Sequence, residues 1–145
     1  MKLPDVNLWL AAAIASHRHH PAAKQWLDAQ DAPASIAFCR ITQQGFLRLL
    51  THEPFMRGCG LKAMTNARAW SVWQAFTADD RIVFQPEPAG MESRWRSLGA
   101  RSPASPKLWM DAYLAAFAIE SGMKLVTFDR GFRQFRSLQL ELLHE

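Results

Sequence analysis

The sequence predicts an α/β fold in which a mostly parallel central sheet is covered by helices on both faces. Short apolar runs alternate with longer helical patterns along 145 residues, the order from which strand–helix–strand units build a parallel sheet. The stretch from Leu108 to Phe132 reads as helix, turn, strand, turn: Leu108, Tyr113, Leu114, Phe117 and Ala118 share one helical face, and Lys124 to Phe128 is a short apolar strand. A hydrophobic content of 49% with 21% charge is that of an ordinary globular protein. The length suits one domain spanning 1–145 rather than two.

In chain order, Met1 to Pro4 reads as a first short strand, with Pro4 limiting its pairing. Val6 to Ala15 is apolar almost all round, which predicts a buried helix. Pro21 opens a second helix through Trp26 and Leu27. Ser35 to Cys39 is a second buried strand, followed by a helix over 40–50 with Ile41, Phe46, Leu49 and Leu50 as core positions. Gly45 inside that helix costs about 1 kcal/mol against Ala, which predicts close packing there. His52 to Gly60 reads as loop, Lys62 to Ala78 as helix, Arg81 to Phe84 as a third strand, Gln85 to Gly90 as loop and Met91 to Leu98 as a short helix. Ser105 is placed to cap the next helix, with Pro106 at its first position. Gly122 stops that helix where positive φ is needed, and Asp129-Arg130-Gly131 ends the strand that follows.

The placement of carboxylates is the functional signal. In an α/β unit the start of a helix lies at the same sheet edge as the ends of the strands, where open α/β sheets place their sites. Asp5 and Asp129 follow strand ends, and Asp111 lies in the first turn of a helix. Gln43 also sits at a helix start just past a strand end. Either Asp111 or Asp129 alone also fits a structural role, one at a helix N-terminus and the other opening a turn. Together, three carboxylates about 5–6 Å apart would repel by about 3 kcal/mol per pair at an effective dielectric near 20, so their convergence calls for a cation. An oxygen-only donor set suits Mg²⁺ or Mn²⁺, and the chemistry it permits is phosphodiester hydrolysis.

Other features set bounds. The net charge of +4 is compatible with a nucleic-acid partner without requiring one. Two cysteines, Cys39 and Cys59, make neither a disulfide framework nor a metal cluster and suit a reducing cytoplasm. Leu8 to Ala15 lacks the flanks of a signal peptide and is too short to span a bilayer. Gly58-Cys59-Gly60-Leu61-Lys62-Ala63 matches G-x-G-x-x-A, but no strand precedes it. His17, Arg18, His19 and His20 lack helical ligand spacing and read as a solvated turn. Arg130, Arg133 and Arg136 recur every third residue, either tracking phosphates or forming a solvated face. The six tryptophans fit a core or a dimer interface better than base-stacking platforms.

Four motifs in order, LPDVNLWLA, TQQGFLRLL, LWMDAYLAAFA and LVTFDRGF, make the chain resemble the PIN-domain nucleases, in the branch of VapC-type toxins from bacterial toxin–antitoxin pairs. The resemblance implies a PIN-like three-layer α/β/α fold and a Mg²⁺-dependent endoribonuclease. It also implies a homodimer, an RNA substrate and a cognate VapB-type antitoxin. On the matching positions, Asp5, Asp111 and Asp129 would hold the metal, and Gln43 would be a polar site residue. Asn7, Thr127 and Arg130 would support those ligands or orient phosphate, and Arg48 would anchor structure. Most of the family carries Glu at the position that Gln43 matches; Gln offers a carbonyl oxygen without charge. That departure leaves an alternative, a PIN-like RNA-binding module without catalysis. A phosphohydrolase with Asp5 as nucleophile is a further reading, although the usual second Asp is here Asn7. Apolar residues exposed near the N-terminal helices, such as Trp9, would supply a groove for a partner helix.

Overall fold

The computed structural model of the chain describes residues 1–144. Five strands, β1 (Lys2–Pro4), β2 (Ile36–Phe38), β3 (Ile82–Phe84), β4 (Lys124–Thr127) and β5 (Leu140–Leu142), form one sheet in the order β3-β2-β1-β4-β5. Every pairing is parallel, so the sheet has no antiparallel member among the described residues. The helices are α1 (Val6–Ala13), α2 (His20–Asp28), α3 (Arg40–Leu50), α4 (Glu53–Gly58), α5 (Asn66–Thr77), α6 (Met91–Gly99) and α7 (Leu108–Glu120).

Alternation along the strands divides the core into two layers. Ile36, Phe38 and Val126 point into one core with residues of α1, α2, α3, α4 and α5, whereas Leu3, Ala37 and Leu125 point into the other with α6 and α7. The result is the three-layer α/β/α arrangement. Helix α7 is buried on every side over Leu114 to Ala118, while Trp109 and Met110 in its first turn are exposed, which explains why the later part of its sequence is apolar on more than the one expected face. It ends as expected at Gly122, with φ of 62°. The Met123 N–H donates to Ala118 O (2.8 Å) and the Gly122 N–H to Ile119 O (3.1 Å), a Schellman pair that satisfies two of the helix's last carbonyls.

Four expectations are corrected. The segment expected as loop over 52–60 contains α4, for which Pro54 in the first turn was the available signal. Helix α7 starts at Leu108, after Lys107 rather than Ser105, and it is the Ser105 carbonyl, not its hydroxyl, that meets the Leu108 N–H. Trp9 offers no surface to a partner: it is fully buried and stacks on Phe38 with ring centroids 3.8 Å apart. Strand β5 has no counterpart in the sequence reading. Its three residues are half-buried and gain their order from β4, which Leu140 and Leu142 meet at Leu125 and Thr127.

The tight packing expected at Gly45 is present. A Cβ on Gly45 would lie 2.7 Å from Val6 Cγ2, the branched side chain that opens α1. Gly45→Ala is therefore expected to lower stability by about 1 kcal/mol, the overpacking cost exceeding the helix-propensity gain. Denaturant melts should show the loss and its suppression by Val6→Ala in the double variant.

Candidate active site

The chain leaves β1 toward β2 and β3 on one side, and β4 and β5 occupy the other. The carboxyl ends of β1 and β4 therefore flank the point where strand order reverses, and there the crevice of an open parallel sheet lies. Asp5 directly follows β1 and caps α1, accepting the Val6 N–H at 2.6 Å. Its own N–H donates to Val126 O at 2.9 Å, which ties the end of β1 to β4. Asp129 follows β4 by two residues, and Asp111 stands in the first turn of α7.

Thr127 organises this edge. It is fully buried. Its hydroxyl donates to Asp5 Oδ2 (2.9 Å) and accepts from Asn7 Nδ2 (3.1 Å) and from the Asp129 N–H (3.0 Å). One side chain thus fixes the rotamer of Asp5, the amide of Asn7 and the backbone that aims Asp129. Asp129 Oδ1 accepts the Gly131 N–H at 2.7 Å, closing the turn after β4.

Burial and neighbouring like charge raise two of these carboxyls. Burial pushes the Asp5 carboxyl up to about 6 against the opposing effect of its Thr127 and Val6 hydrogen bonds, and the Asp111 and Asp129 charges raise it further. Asp111 is also raised, by burial first and then by Asp129. Each carboxylate lies in another's field, as the like-charge rule requires of groups that share a site.

Asp5 and Asp111 line a cavity of about 360 Å³, together with Thr42, Gly45, Arg48 and Lys107. Asp129 is exposed beside it. Among the described residues, no three His, Cys, Asp or Glu side chains stand close enough to hold one ion as placed. Magnesium takes one or two carboxylates and keeps several waters, so an all-oxygen pair on a roomy cavity with a third carboxylate nearby fits such an ion. It does not fit a closed nitrogen–sulfur site.

Gln43 is placed differently from the sequence reading. It is buried at 3% exposure, its amide oxygen accepts from Arg40, and it does not line the cavity. The reason is helical phase: Thr42, Gly45 and Arg48, at spacings of three, face the cavity, and Gln43 lies a further 100° or so round the helix. Arg48 is corrected as well. Among the described residues its guanidinium makes no hydrogen bond or ion pair, so it anchors nothing and stands free at the cavity wall. Lys107 was missed, because the sequence shows no link between it and Asp5. Arg130 is exposed and lines a separate cavity with Arg18.

The PIN domain family model matches residues 2–138, and the chain belongs to the PIN-domain family. Its full-length likeness places it with the VapC-type ribonuclease toxins of that family. It is 49% identical over 144 residues to Ribonuclease VapC41 of Mycobacterium tuberculosis, covering 99% of both chains. It is 30% identical to Ribonuclease VapC29 of the same organism, covering 89% of this chain and 86% of that one. Among solved structures, VapBC2 from Rickettsia felis, bound to a promoter DNA fragment, superposes with a TM-score of 0.70 at 16% identity, covering 99% of this chain and 98% of that one. Mycobacterium tuberculosis VapC20, described as a sarcin-ricin loop cleaving toxin, gives 0.68 at 18% identity over 96% and 98%. These two likenesses carry the fold.

Proposed function

We propose that the chain is a Mg²⁺-dependent endoribonuclease, the toxin of a toxin–antitoxin pair, which hydrolyses RNA phosphodiester bonds at the edge formed by Asp5, Asp111 and Asp129. The observation that carries this reading is that Asp5 and Asp111 line one cavity, with Asp129 just past the end of the adjacent strand β4, at the point where strand order reverses. The full-length likeness to a named ribonuclease supports it.

Asp5 and Asp111 would hold the ion from the cavity wall, and Asp129 would hold it directly or through water. When bound, the ion polarises the scissile phosphate and lowers the pKa of an attacking water. Thr127 and Asn7 orient Asp5. Arg48 and Lys107, which line the same cavity, supply positive charge to phosphate oxygens. The non-cutting RNA-binding alternative rested on Gln43, and a glutamine that faces Arg40 leaves the charge of the three carboxylates unaltered.

The same reading includes a VapB-type antitoxin, whose Arg or Lys side chain would take the place of the cation in the acidic cavity. Homodimeric assembly and action in the cytoplasm belong to it as well. No helix among the described residues is long and apolar enough to cross a membrane. Both cysteines are free thiols, as a reducing compartment would keep them.

The test is a metal titration of RNA cleavage. Chelation should abolish cleavage by the purified protein, and Mg²⁺ or Mn²⁺ should restore it. The same titration on Gln43→Glu should superimpose on the wild type, because the added charge faces Arg40. Cleavage that survives chelation would refute the metal-dependent reading, and a leftward shift for Gln43→Glu would bring that residue back into the site.

A further inference from the structure

A second cavity, of about 250 Å³, opens between α3 and α5, and it shares one wall with the catalytic cavity, Arg48. Leu47, Thr51, Asn66, Ala69 and Trp70 complete its lining, and none of these is acidic. Helical spacing accounts for the set. Asn66, Ala69 and Trp70 share one face of α5, and Leu47, Arg48 and Thr51 stand on the last turn of α3 and its cap. Ala69 is buried and packs α5 onto the core, whereas Trp70 beside it is 48% exposed. The Trp70 ring stands edge-on to Trp73, with centroids 5.6 Å apart and planes 86° apart. Trp73 packs against the core, so Trp70 is held in place while much of its surface stays in solvent. Arg48 is exposed, and among the described residues its guanidinium makes no hydrogen bond or ion pair.

We propose that this cavity is a base subsite: Arg48 holds a backbone phosphate of single-stranded RNA at the rim of the catalytic cavity, and the adjoining base turns into the second cavity and stacks on Trp70. The proposal rests on the ribonuclease reading above and deepens it by naming where a nucleotide of the substrate is held. A strand bound in the catalytic cavity must leave it over its rim, and Arg48 is the residue that lines both cavities. Arginine meets phosphate oxygens with a fork of parallel N–H donors. An exposed indole supplies the sequence-tolerant stacking that single-strand binders use. The exposed Asn66 amide offers a donor and an acceptor to a base edge. A helix, from a partner or from a second copy of the chain, is 10–12 Å across and would lie over a cavity of this volume, whereas a single planar ring enters it. The aromatic cavity at Trp95, Trp109 and Tyr113 lacks this arrangement. It shares only the apolar Ile41 and Met110 with the catalytic cavity, and its Arg40 donates to Gln43 and lies over Phe84.

The experiment measures binding apart from cleavage. Full-length Asp111→Asn protein, impaired in cleavage, is titrated with a short fluorescent single-stranded RNA, and with a series in which each nucleotide in turn is made abasic. Loss of the base at one position is expected to weaken binding about tenfold, as loss of one base–aromatic stack does. Adding Trp70→Ala should cost the same factor on the intact RNA and nothing further on that abasic RNA. It removes no charge, so the slope of log K against log salt should hold, whereas Arg48→Gln should lower it by roughly 0.7, the value for one phosphate contact on a single strand. Trp70→Phe should keep most of the affinity, and Trp109→Ala, on the other aromatic cavity, should change nothing. Trp70 and Arg48 are exposed, and thermal melts check that the variants fold. Parent affinity in Trp70→Ala would overturn the proposal. So would an abasic loss that persists in full in Trp70→Ala, or an equal loss in Trp109→Ala. Sedimentation without RNA reads the competing occupant: a change of oligomeric state in Trp70→Ala would assign the cavity to a second copy of the chain and overturn the subsite. If the wild type cuts no RNA while the coupling between Trp70 and the abasic position holds, the nuclease reading fails and the cavity stands as an RNA-binding site. If the wild type cuts RNA and Trp70→Ala binds unchanged, the subsite alone fails.

Discussion

Asp111→Asn is expected to lower RNA cleavage by roughly 10³-fold, since charge stabilisation by a bound metal is worth several kcal/mol and each 1.4 kcal/mol is a factor of ten. The same change should make the metal-free protein more stable. The Asp111 carboxyl is raised in the folded state by burial and by Asp129. A carboxyl with a folded pKa above its unfolded one takes up a proton on folding, so its ionised form opposes folding once the pH exceeds that window. Asn removes the penalty. Among the described residues Asp111 accepts no side-chain hydrogen bond that Asn would forfeit. Asp111 keeps part of its surface in solvent, which limits the gain; the Tm at pH 7 should rise, and the rise should shrink as the pH falls and the carboxyl becomes protonated. Saturating Mg²⁺ should raise the wild-type Tm by mass action and leave that of Asp111→Asn almost unmoved. Melts with and without Mg²⁺, run beside the cleavage assay, check both halves. Undiminished cleavage by Asp111→Asn would remove that residue from the site. Asp5→Asn should abolish cleavage too but gain less stability. Its new amide would face a Thr127 hydroxyl that already accepts from Asn7 and Asp129.

Thr127→Val should have the next largest effect, on two readouts at once. Valine keeps the shape and removes the hydroxyl that joins Asp5, Asn7 and the Asp129 backbone. Leaving the Asn7 amide and the Asp129 N–H without that acceptor in a buried setting costs about 1–3 kcal/mol of stability. Freeing Asp5 and Asp129 from their common anchor should lower metal affinity or activity by about 10–100-fold, the usual effect of losing a group that orients metal ligands. Thr127→Ser retains the hydroxyl and should recover most of both. A Thr127→Val protein that matches wild type in metal titration would show that the hydroxyl does not position the carboxylates.

The placement of the candidate carboxylates was legible in part because local rules dictate it. A strand end and a helix start in an α/β unit face the same edge, so Asp5, Asp111 and Asp129 could be brought together from their sequence positions alone. The bond between Asn7 and Thr127 joins residues that the family motifs had already singled out. Gln43 shows where the rule stops. Its position past a strand end is correct, but the rotation of α3 about its own axis is set by Phe46 and Leu50 packing inward. That rotation turns Thr42 and Arg48, not Gln43, to the cavity. Periodicity locates the buried face of a helix without saying which of the remaining positions looks at a site.

The sequence by itself determined the alternation of strands and helices, the stop at Gly122, the close approach at Gly45 and the edge that carries the carboxylates. Each follows from backbone conformation or side-chain period within a few residues. Only the tertiary structure decided what depends on residues far apart in the chain: the order of the strands, the pairing of β5 with β4, the burial of Trp9 against Phe38, and the meeting of Arg18, Arg130 and His144 around one cavity. The physical reason is the same for all four. A single charged or aromatic side chain carries no period, and a three-residue strand carries too short a one to announce its partner. Their neighbours are chosen by the packing of the whole sheet and its two helical layers.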